Sequence, residues 1–446
     1  MKMPIEVCCI GGFSKTEGNS VAIKIDEEVV ILDMGLSMED YIKYTEDRED
    51  ISARSYTQLL KVKAVPNYTF IEEWKEKIKA IIPSHGHLDH VGAIPFAAKL
   101  FPTVPVISTP YTIEVLKTIL VDEQMNIPNQ FIAQKLNSSY KLSEKITVEF
   151  INVTHSIPHT AIVVLHTPYG KIMYANDFKL DDTPTLGKKP NYQRIKKVGK
   201  EGVLLLIMNC LYAHEPRKCP SEAVARQMLK EVMLGIDSKG KAMIVTTFSS
   251  HIARLKSIIE MGKKLKRKIV FLGRSLDKYV RAAERLKLVQ FTKDVELVRH
   301  WDKVERIFKK IQREGKDKYL IVCTGHQGEP RSILTQMAAG GFDFHFTPGD
   351  LVIFSCQVIP VEVNKKNREI LETSLRGNNV RIFRDVHVSG HGAREDERDL
   401  IEMVRPKHII PIHAENEKAR IVQEMATQLG FKNTHVMLDG QRITLE

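Results

Sequence analysis

Six residues constrain this chain more than any others: His85-Gly86-His87-Leu88-Asp89-His90 follows the apolar run IKAIIP and precedes the helix-like GAIPFAAKL. A tight loop between a buried strand and a helix points alternate side chains at one centre, and three imidazoles with a carboxylate are what nearby cations need. A structural zinc draws on cysteine thiolates, whereas nitrogen and oxygen donors with open positions suit hydrolytic chemistry. The six cysteines (Cys8, Cys9, Cys210, Cys219, Cys323, Cys356) form no C-x-x-C pair and several sit in apolar β-branched runs. That usage implies a reducing cytosol and no disulfide framework.

The chain's 446 residues exceed what one core usually organises. Short β-branched runs at 5–10, 21–25, 29–32 and 78–82 open it, and residues 37–77 are charged and irregular, with a helix ending in EEWKEKIK. Strand patterns resume from 104 to 210. From 241 onward AMIVTTF, KIVFLG, YLIVCTG and LVIFS alternate with Lys/Arg-rich helical stretches, including one at 250–265 with apolar residues near 3.6 periodicity. That texture predicts a doubly wound parallel sheet. After residue 378 strands return, in VRIFRDVHVS and HIIPIH, so an α/β domain inserted into a β-rich one is expected. No apolar run approaches a membrane span and the first residues do not resemble a secretory leader, which excludes membrane and secreted classes and points to the cytoplasm.

The HGHLDH run resembles the H-x-H-x-D-H signature of the metallo-β-lactamase fold, and the remaining motifs of that fold follow in order: His155 in NVTHSIPHT, Asp177 in YANDFKLD and His413 in IIPIHAENE. His387-Val388-Ser389-Gly390-His391 is similar to the HxSGH element of the β-CASP nucleases of this fold. AVPNYTFIEEWKEKIKAIIPSHGHLDHVGAIP, TTFSSHIARL, FLGRS and TGHQGEP resemble the ribonuclease J family over nearly the whole chain, in its shorter archaeal form. The fold this implies is α/β: a metallo-β-lactamase αββα sandwich in two segments, residues 1–208 and 373–446, with a doubly wound α/β β-CASP domain at 209–372. His159 and His166 lack such support and read as structural.

The resemblance implies a 5′-to-3′ exoribonuclease with endonuclease activity alongside, carrying two zinc ions, with manganese or magnesium as alternatives. His85, His87, His155 and Asp177 would hold one cation; Asp89, His90, Asp177 and His413 the other. Two such ions lower the pKa of a water and neutralise charge on phosphorus. Asp89 would orient that water or take its proton, His387 and His391 would contact the scissile phosphate, and His391 would stabilise or protonate the departing oxygen. Ser389 and the Gly390 N–H can donate to a phosphate oxygen. Measuring from a 5′ end needs a second phosphate site, and three loops after predicted parallel strands offer one: Ser249 and Ser250, Arg274, and Gln327 and Gly328 with Ser332. Each, taken singly, reads equally as a plain helix cap.

Two places depart from the family pattern. Asn209 stands where a carboxylate normally orients the catalytic histidine, and an amide brings no charge to raise that histidine's pKa. VIPVEVN stands where a PIPGNE-like run is usual. The net charge of +11 suits a polyanionic partner, and residues 188–200 (KKPNYQRIKKVGK) and 263–268 (KKLKRK) are basic clusters that read either as phosphate tracks, with Tyr192 for base stacking, or as solvated faces. Single-stranded RNA and a homodimer partner are the associations the resemblance implies. A catalytically weak RNA-binding subunit is the alternative, favoured by Asn209 alone and opposed by the complete ligand set. A thioesterase-like hydrolase is opposed by HVSGH and the basic balance, and DNA stays open as a substrate because no motif reads a 2′-hydroxyl.

Overall fold

The computed structural model describes residues 5–45, 54–359 and 361–445; residues 1–4, part of the irregular stretch 37–77, Pro360 of VIPVEVN and Glu446 lie outside them. The chain divides into two compact units, one formed by residues 1–182, 188–219 and 390–446, the other by 183–187 and 220–389.

In the first unit, β-branched residues at period two build two sheets that share a core. One has the order Arg442–Leu445, Ile5–Gly11, Ser20–Ile25, Glu28–Leu32, Ile78–Ile82, Val106–Ser108, Phe131–Ala133. The other runs His408–Ile412, Val203–Asn209, Gly170–Ala175, Ala161–Thr167, Thr147–Asn152, Ser138–Lys141. Alternation decides what each strand residue meets. Val148, Phe150, Leu205 and Ile207 face Val7, Ile23, Leu32 and Ile82 across the sandwich, while Ile151, Leu206 and Met208 face the outer helices Tyr192–Lys200, Arg394–Val404 and Asn416–Gln428. This is the metallo-β-lactamase sandwich expected from the sequence.

The second unit is one six-stranded sheet in which every pairing is parallel, in the order Val295–Val298, Lys268–Leu272, Tyr319–Cys323, Met243–Thr246, Leu351–Phe354, Arg381–Phe383. Parallel strands require crossovers, and the helices Ile252–Lys264, Arg274–Arg285, Trp301–Glu314 and Glu362–Gly377 supply them. The unit is pinned by Arg254, a fully buried guanidinium. It forks onto Glu222 (2.6 and 2.8 Å), donates to the Ser355 carbonyl (2.9 Å), and reaches the Val386 and Val388 carbonyls (3.4 and 3.3 Å), which fixes the backbone at the start of the HVSGH element.

Three expectations meet a different outcome. The units divide at 219/220 and 389/390 rather than at 208/209 and 372/373. Cys210 and Ala213 pack into the sandwich core, and Arg381–Phe383 pairs with Leu351–Phe354, so the strand read as the sandwich's return belongs to the other sheet. The EEWKEKIK stretch lies in 3-10 turns rather than an α-helix: Tyr68–Lys77 is broken by a kink at Ile71 (φ −129°, ψ 25°), with Tyr68, Ile71 and Trp74 buried. Helix Ile252–Lys264 starts two residues later than expected, with His251 as its cap rather than a serine.

Two stability predictions follow from buried ions. Arg254→Ala takes the guanidinium away from buried Glu222 while His251 stays beside it (3.4 Å), and denaturant unfolding of the second unit is expected to lose about 3 kcal/mol. Glu149 ties the strand Thr147–Asn152 to Arg194 (2.6 and 2.8 Å) and His166 (2.7 Å). Burial alone would raise its carboxyl, but those hydrogen bonds outweigh it and hold it at about 2. Because the folded value is depressed, the stabilisation is complete above the ordinary glutamate range and disappears as pH falls from about 4 towards 2. Acid titration of stability should show this loss, up to about 3 kcal/mol, and Glu149→Gln should remove it.

Candidate metal centre

The ends of six strands meet at one rim of the first unit. Asp33 follows Glu28–Leu32, His85 and His87 follow Ile78–Ile82, His155 follows Thr147–Asn152, Asp177 follows Gly170–Ala175, Asn209 ends Val203–Asn209, and His413 follows His408–Ile412. Asp89 and His90 lie in the short helix Leu88–Val91, and His391 arrives on the chain's return from the second unit.

Three groups of donors result, each with ligand atoms within 4.8 Å of one another: His85, His87, His155 and Asp177; Asp89, His90 and His413; and Asp177, His391 and His413. Asp177 is buried at their centre. Its Oδ2 lies 3.5 Å from His85 Nε2, 3.5 Å from His90 Nε2, 3.2 Å from His155 Nε2 and 3.8 Å from His391 Nε2, and its Oδ1 is 3.8 Å from His413 Nε2.

Five imidazoles obey one rule, with Nδ1 tethered outward and Nε2 turned inward. His90 Nδ1 donates to Asp33 (2.7 Å) and His155 Nδ1 to the Gly390 carbonyl (2.7 Å). The Ser84 hydroxyl donates to Asp33 (3.1 Å) and therefore accepts from His85 Nδ1 (3.0 Å). His413 Nδ1 meets the Asn19 amide (3.0 Å), and His391 Nδ1 meets Asn209 (2.7 Å). Such outer partners fix ring tautomer and orientation. His87 alone reverses the sense, its Nδ1 lying 3.0 Å from His85 Nε2 and 3.1 Å from His155 Nε2. Those spacings approach the ~3.3 Å edge of a tetrahedron with ~2.0–2.1 Å zinc–nitrogen bonds, so the donors fit such a cation.

For His85, His87, Asp89 and Asp177 the electrostatics match that use. Burial, reinforced by His90 for His85 and by His155 for His87, depresses both imidazoles far below their ordinary value. Burial opposes ionisation of Asp89 and Asp177, but the surrounding histidines outweigh it and keep both carboxyls well below the usual range. His90 goes the other way: burial would neutralise it, yet Asp89, Asp177 and Asp33 draw it up. Deprotonated imidazoles and carboxylates are the ligand forms that metals require.

Asn209 takes an unambiguous orientation. The Leu211 N–H donates to its Oδ1 (2.8 Å), so Nδ2 faces His391 Nδ1 (2.7 Å) and Asp177 Oδ1 (3.4 Å). An amide N–H only donates, so His391 Nδ1 accepts and the ring's proton sits on Nε2. Burial then lowers His391 to about 3.

The other residues singled out from the sequence are distributed differently. His387 and Ser389 lie in the second unit, where His387 Nδ1 is 3.3 Å from the Arg254 guanidinium. Ser249, Ser250, Gln327 and Ser332 are buried there, Arg274 is exposed, and Gly328 has φ +77°. The loops carrying Ser249 and Ser250, Arg274, and Gln327 and Gly328 follow three adjacent strands. The Gln327 amide holds the following loop, donating to the Gln357 carbonyl (3.0 Å) and accepting from Ile359 N–H (2.9 Å), and Ser332 Oγ donates to Thr335. His166 is bound by Glu149 and His159 accepts from Tyr111 N–H, so both are structural, as read from the sequence. Asp33, Ser84, Asn19 and Arg254 escaped the sequence reading. Only Asp33 carried a usable signal, an acid closing the apolar strand VVIL.

Comparison with known proteins gives a consistent picture. Residues 15–271 match the metallo-beta-lactamase superfamily, 240–372 the ribonuclease J beta-CASP domain, and 379–437 the Zn-dependent metallo-hydrolase RNA specificity domain. The chain is 41% identical to ribonuclease J of Methanocaldococcus jannaschii, covering 100% of this chain and 99% of the relative. It is 40% identical to ribonuclease J of Pyrococcus abyssi, with 96% and 93% covered, and 30% identical to ribonuclease J 1 of Streptococcus pyogenes, with 99% and 74% covered. A crystal structure of a protein of unknown function from Enterococcus faecalis V583 shares the fold, with a TM-score of 0.67 at 16% identity over 99% of this chain and 100% of that one.

Replacing the amide tests the tautomer assignment. Asn209→Asp exchanges a donor for a charged acceptor, so nitrogen-15 NMR of His391 should show the proton moved to Nδ1 and the pKa raised by at least about one unit. An unchanged ring spectrum would refute the assignment.

Proposed function

The chain belongs to the ribonuclease J family of the metallo-β-lactamase superfamily and is a metal-dependent ribonuclease; from that premise we propose a zinc-dependent 5′-to-3′ exoribonuclease, with endonuclease activity alongside, acting on single-stranded RNA and preferring 5′-monophosphate ends. The observation that carries this reading is the set of five imidazoles tethered at Nδ1 and converging through Nε2 on Asp177. We assign His85, His87, His155 and Asp177 to one cation and Asp89, His90, Asp177 and His413 to the other. Bound there, two zinc ions, or manganese or magnesium in their place, would supply Lewis acidity and bring a water's pKa towards neutrality.

The protein's own groups take the remaining tasks. Asp89, kept ionised by His90 and with its carbonyl bonded by Asn19 (3.1 Å), orients the attacking water and receives its proton. His391, neutral with its proton on Nε2, donates a hydrogen bond that stabilises the departing oxygen, which takes its proton from solvent. His387 and Ser389 contact the scissile phosphate, and the Gly390 N–H donates to a phosphate oxygen. A side chain at Gly390 would bring Cβ within 2.7 Å of Ser156, so this close approach requires glycine. Ser249, Ser250, Arg274, Gly328 and Ser332 form the 5′-monophosphate pocket, with Gln327 shaping its loop. The enzyme works in the cytoplasm as a homodimer.

Asn209 favours a second reading, an RNA-binding subunit of weak activity, because a neutral amide leaves His391 without the charge of a neighbouring carboxylate. One assay separates the two. A 3′-labelled RNA bearing a 5′-monophosphate, triphosphate or hydroxyl is given to the metal-loaded protein. The exonuclease reading predicts 5′-to-3′ degradation favouring the monophosphate, two zinc ions per chain by elemental analysis, and losses of about a hundredfold or more in Asp89→Ala and His391→Ala. RNA binding without metal-dependent cleavage would establish the second reading instead.

A further inference from the structure

The two basic clusters of the sequence have opposite fates. In residues 263–268, Lys263 pairs with Asp294 (2.6 Å), Lys264 with Glu260 (3.1 Å) and Lys268 with Glu314 (2.7 Å), and the Arg267 guanidinium is buried among backbone carbonyls. In residues 188–200 only Arg194 is taken, by Glu149 and Glu201. Lys188, Lys189, Lys196, Lys197 and Lys200 are exposed, and among the described residues none has an acidic partner. Glu201, the acid one turn beyond Lys197, is drawn away by Arg194 (3.1 Å) and Lys171 (3.5 Å). Other surface helices neutralise some of their cations within a turn, as Arg306 with Asp302 and Lys309 with Glu305 show.

The backbone carrying these free ammoniums is fixed, and its position is informative. The Asn152 side chain donates to the Lys188 and Lys189 carbonyls (3.3 and 2.9 Å), and the Asn191 N–H donates to the Asn152 carbonyl (3.0 Å). Asn152 is the last residue of a strand, three positions before His155. Lys188 and Lys189 therefore sit at the rim that carries the metal ligands. Helix Tyr192–Lys200 then runs back along the sheet, its Ile195 and Val198 buried, so that Lys196, Lys197 and Lys200 continue the basic line away from that rim for roughly 13 Å. Beside it, where this helix packs on Arg394–Val404, a groove of about 680 Å3 is lined by Lys196, Lys200, Lys218 and Arg405 with Asp182, Asp399 and Glu402. Two of its acids are engaged, Asp399 by Lys218 (2.5 Å) and Asp182 by Tyr192. Tyr192 is half-buried and packed on the core, so base stacking is not its task.

We propose that these five lysines form a phosphate track that holds single-stranded RNA outside the metal centre, on the outer helix layer of the sandwich. The proposal rests on the ribonuclease reading above. The contact is to backbone charge alone, which makes it independent of sequence and steeply salt-dependent.

The test combines Lys188→Gln, Lys189→Gln, Lys196→Gln, Lys197→Gln and Lys200→Gln in the full chain, with Lys263→Gln/Lys264→Gln as the charge-matched comparison and a thermal melt to verify folding. Binding is read by fluorescence anisotropy across a salt series in the Asp89→Ala background, on a long unstructured RNA and on one too short to extend past the rim. The five-lysine variant is expected to lose at least tenfold in affinity for the long RNA, with a salt slope flatter by roughly 2–3, since each single-strand phosphate contact contributes about 0.7. Long-RNA affinity and slope equal to the parent's, or an equal loss on the short RNA, would overturn the track. Cleavage by the unaltered enzyme, run in parallel, judges the nuclease reading separately: a parent that degrades RNA beside a five-lysine variant that binds like it removes only the track.

Discussion

A buried carboxylate that touches five imidazoles organises this molecule. Asp177 has no solvent to ionise into, so it stays charged only because His413, His391, His90 and their neighbours surround it. Each of those rings must then be held at a fixed angle, and the sandwich supplies the holders: Ser84 and Asp33 from one sheet's rim, Asn209 and the Gly390 carbonyl from the other side. The two sheets, whose shared core sets their spacing, thus set the distances between donors as well. Gly35 shows how little slack remains, since a Cβ there would fall 1.7 Å from the Asp89 carbonyl oxygen.

Much of this architecture was legible in the sequence, for identifiable reasons. Strand ends followed by histidine or aspartate mark ligand positions because a strand's last residue and the loop after it are rigidly aimed. His85, His87, Asp89 and His90 stood out this way, His155, Asp177 and His413 through the order of motifs the chain shares with a family, and the structure gathers them all. The holders were harder to see. Asn19, Ser84 and Arg254 make their contacts through ordinary residue types over separations of 70 to 394, 51 and up to 134 positions, and nothing local distinguishes them. The unit boundaries were misjudged because Arg381–Phe383 has the same short apolar texture as the sandwich strands; only its pairing partner reveals which sheet it joins.

The basic clusters teach a related lesson about charge. On sequence alone KKLKRK is the denser of the two, yet its lysines are largely neutralised by Glu260, Asp294 and Glu314, two of them from elements adjacent only in the fold. KKPNYQRIKKVGK keeps its charge because the nearest acid serves Arg194 and Lys171 instead. Density of like residues measures what is present; the fold decides what is available to a partner.

The donor set is spread from His85 to His413, closed by a strand that enters the sheet only after the inserted unit. Translation proceeds from the amino end, so a nascent chain carries the HGHLDH loop through most of its synthesis without the groups that complete the centre. Until His413 has been made and His408–Ile412 has paired beside Val203–Asn209, the rim lacks one of the donors it gathers.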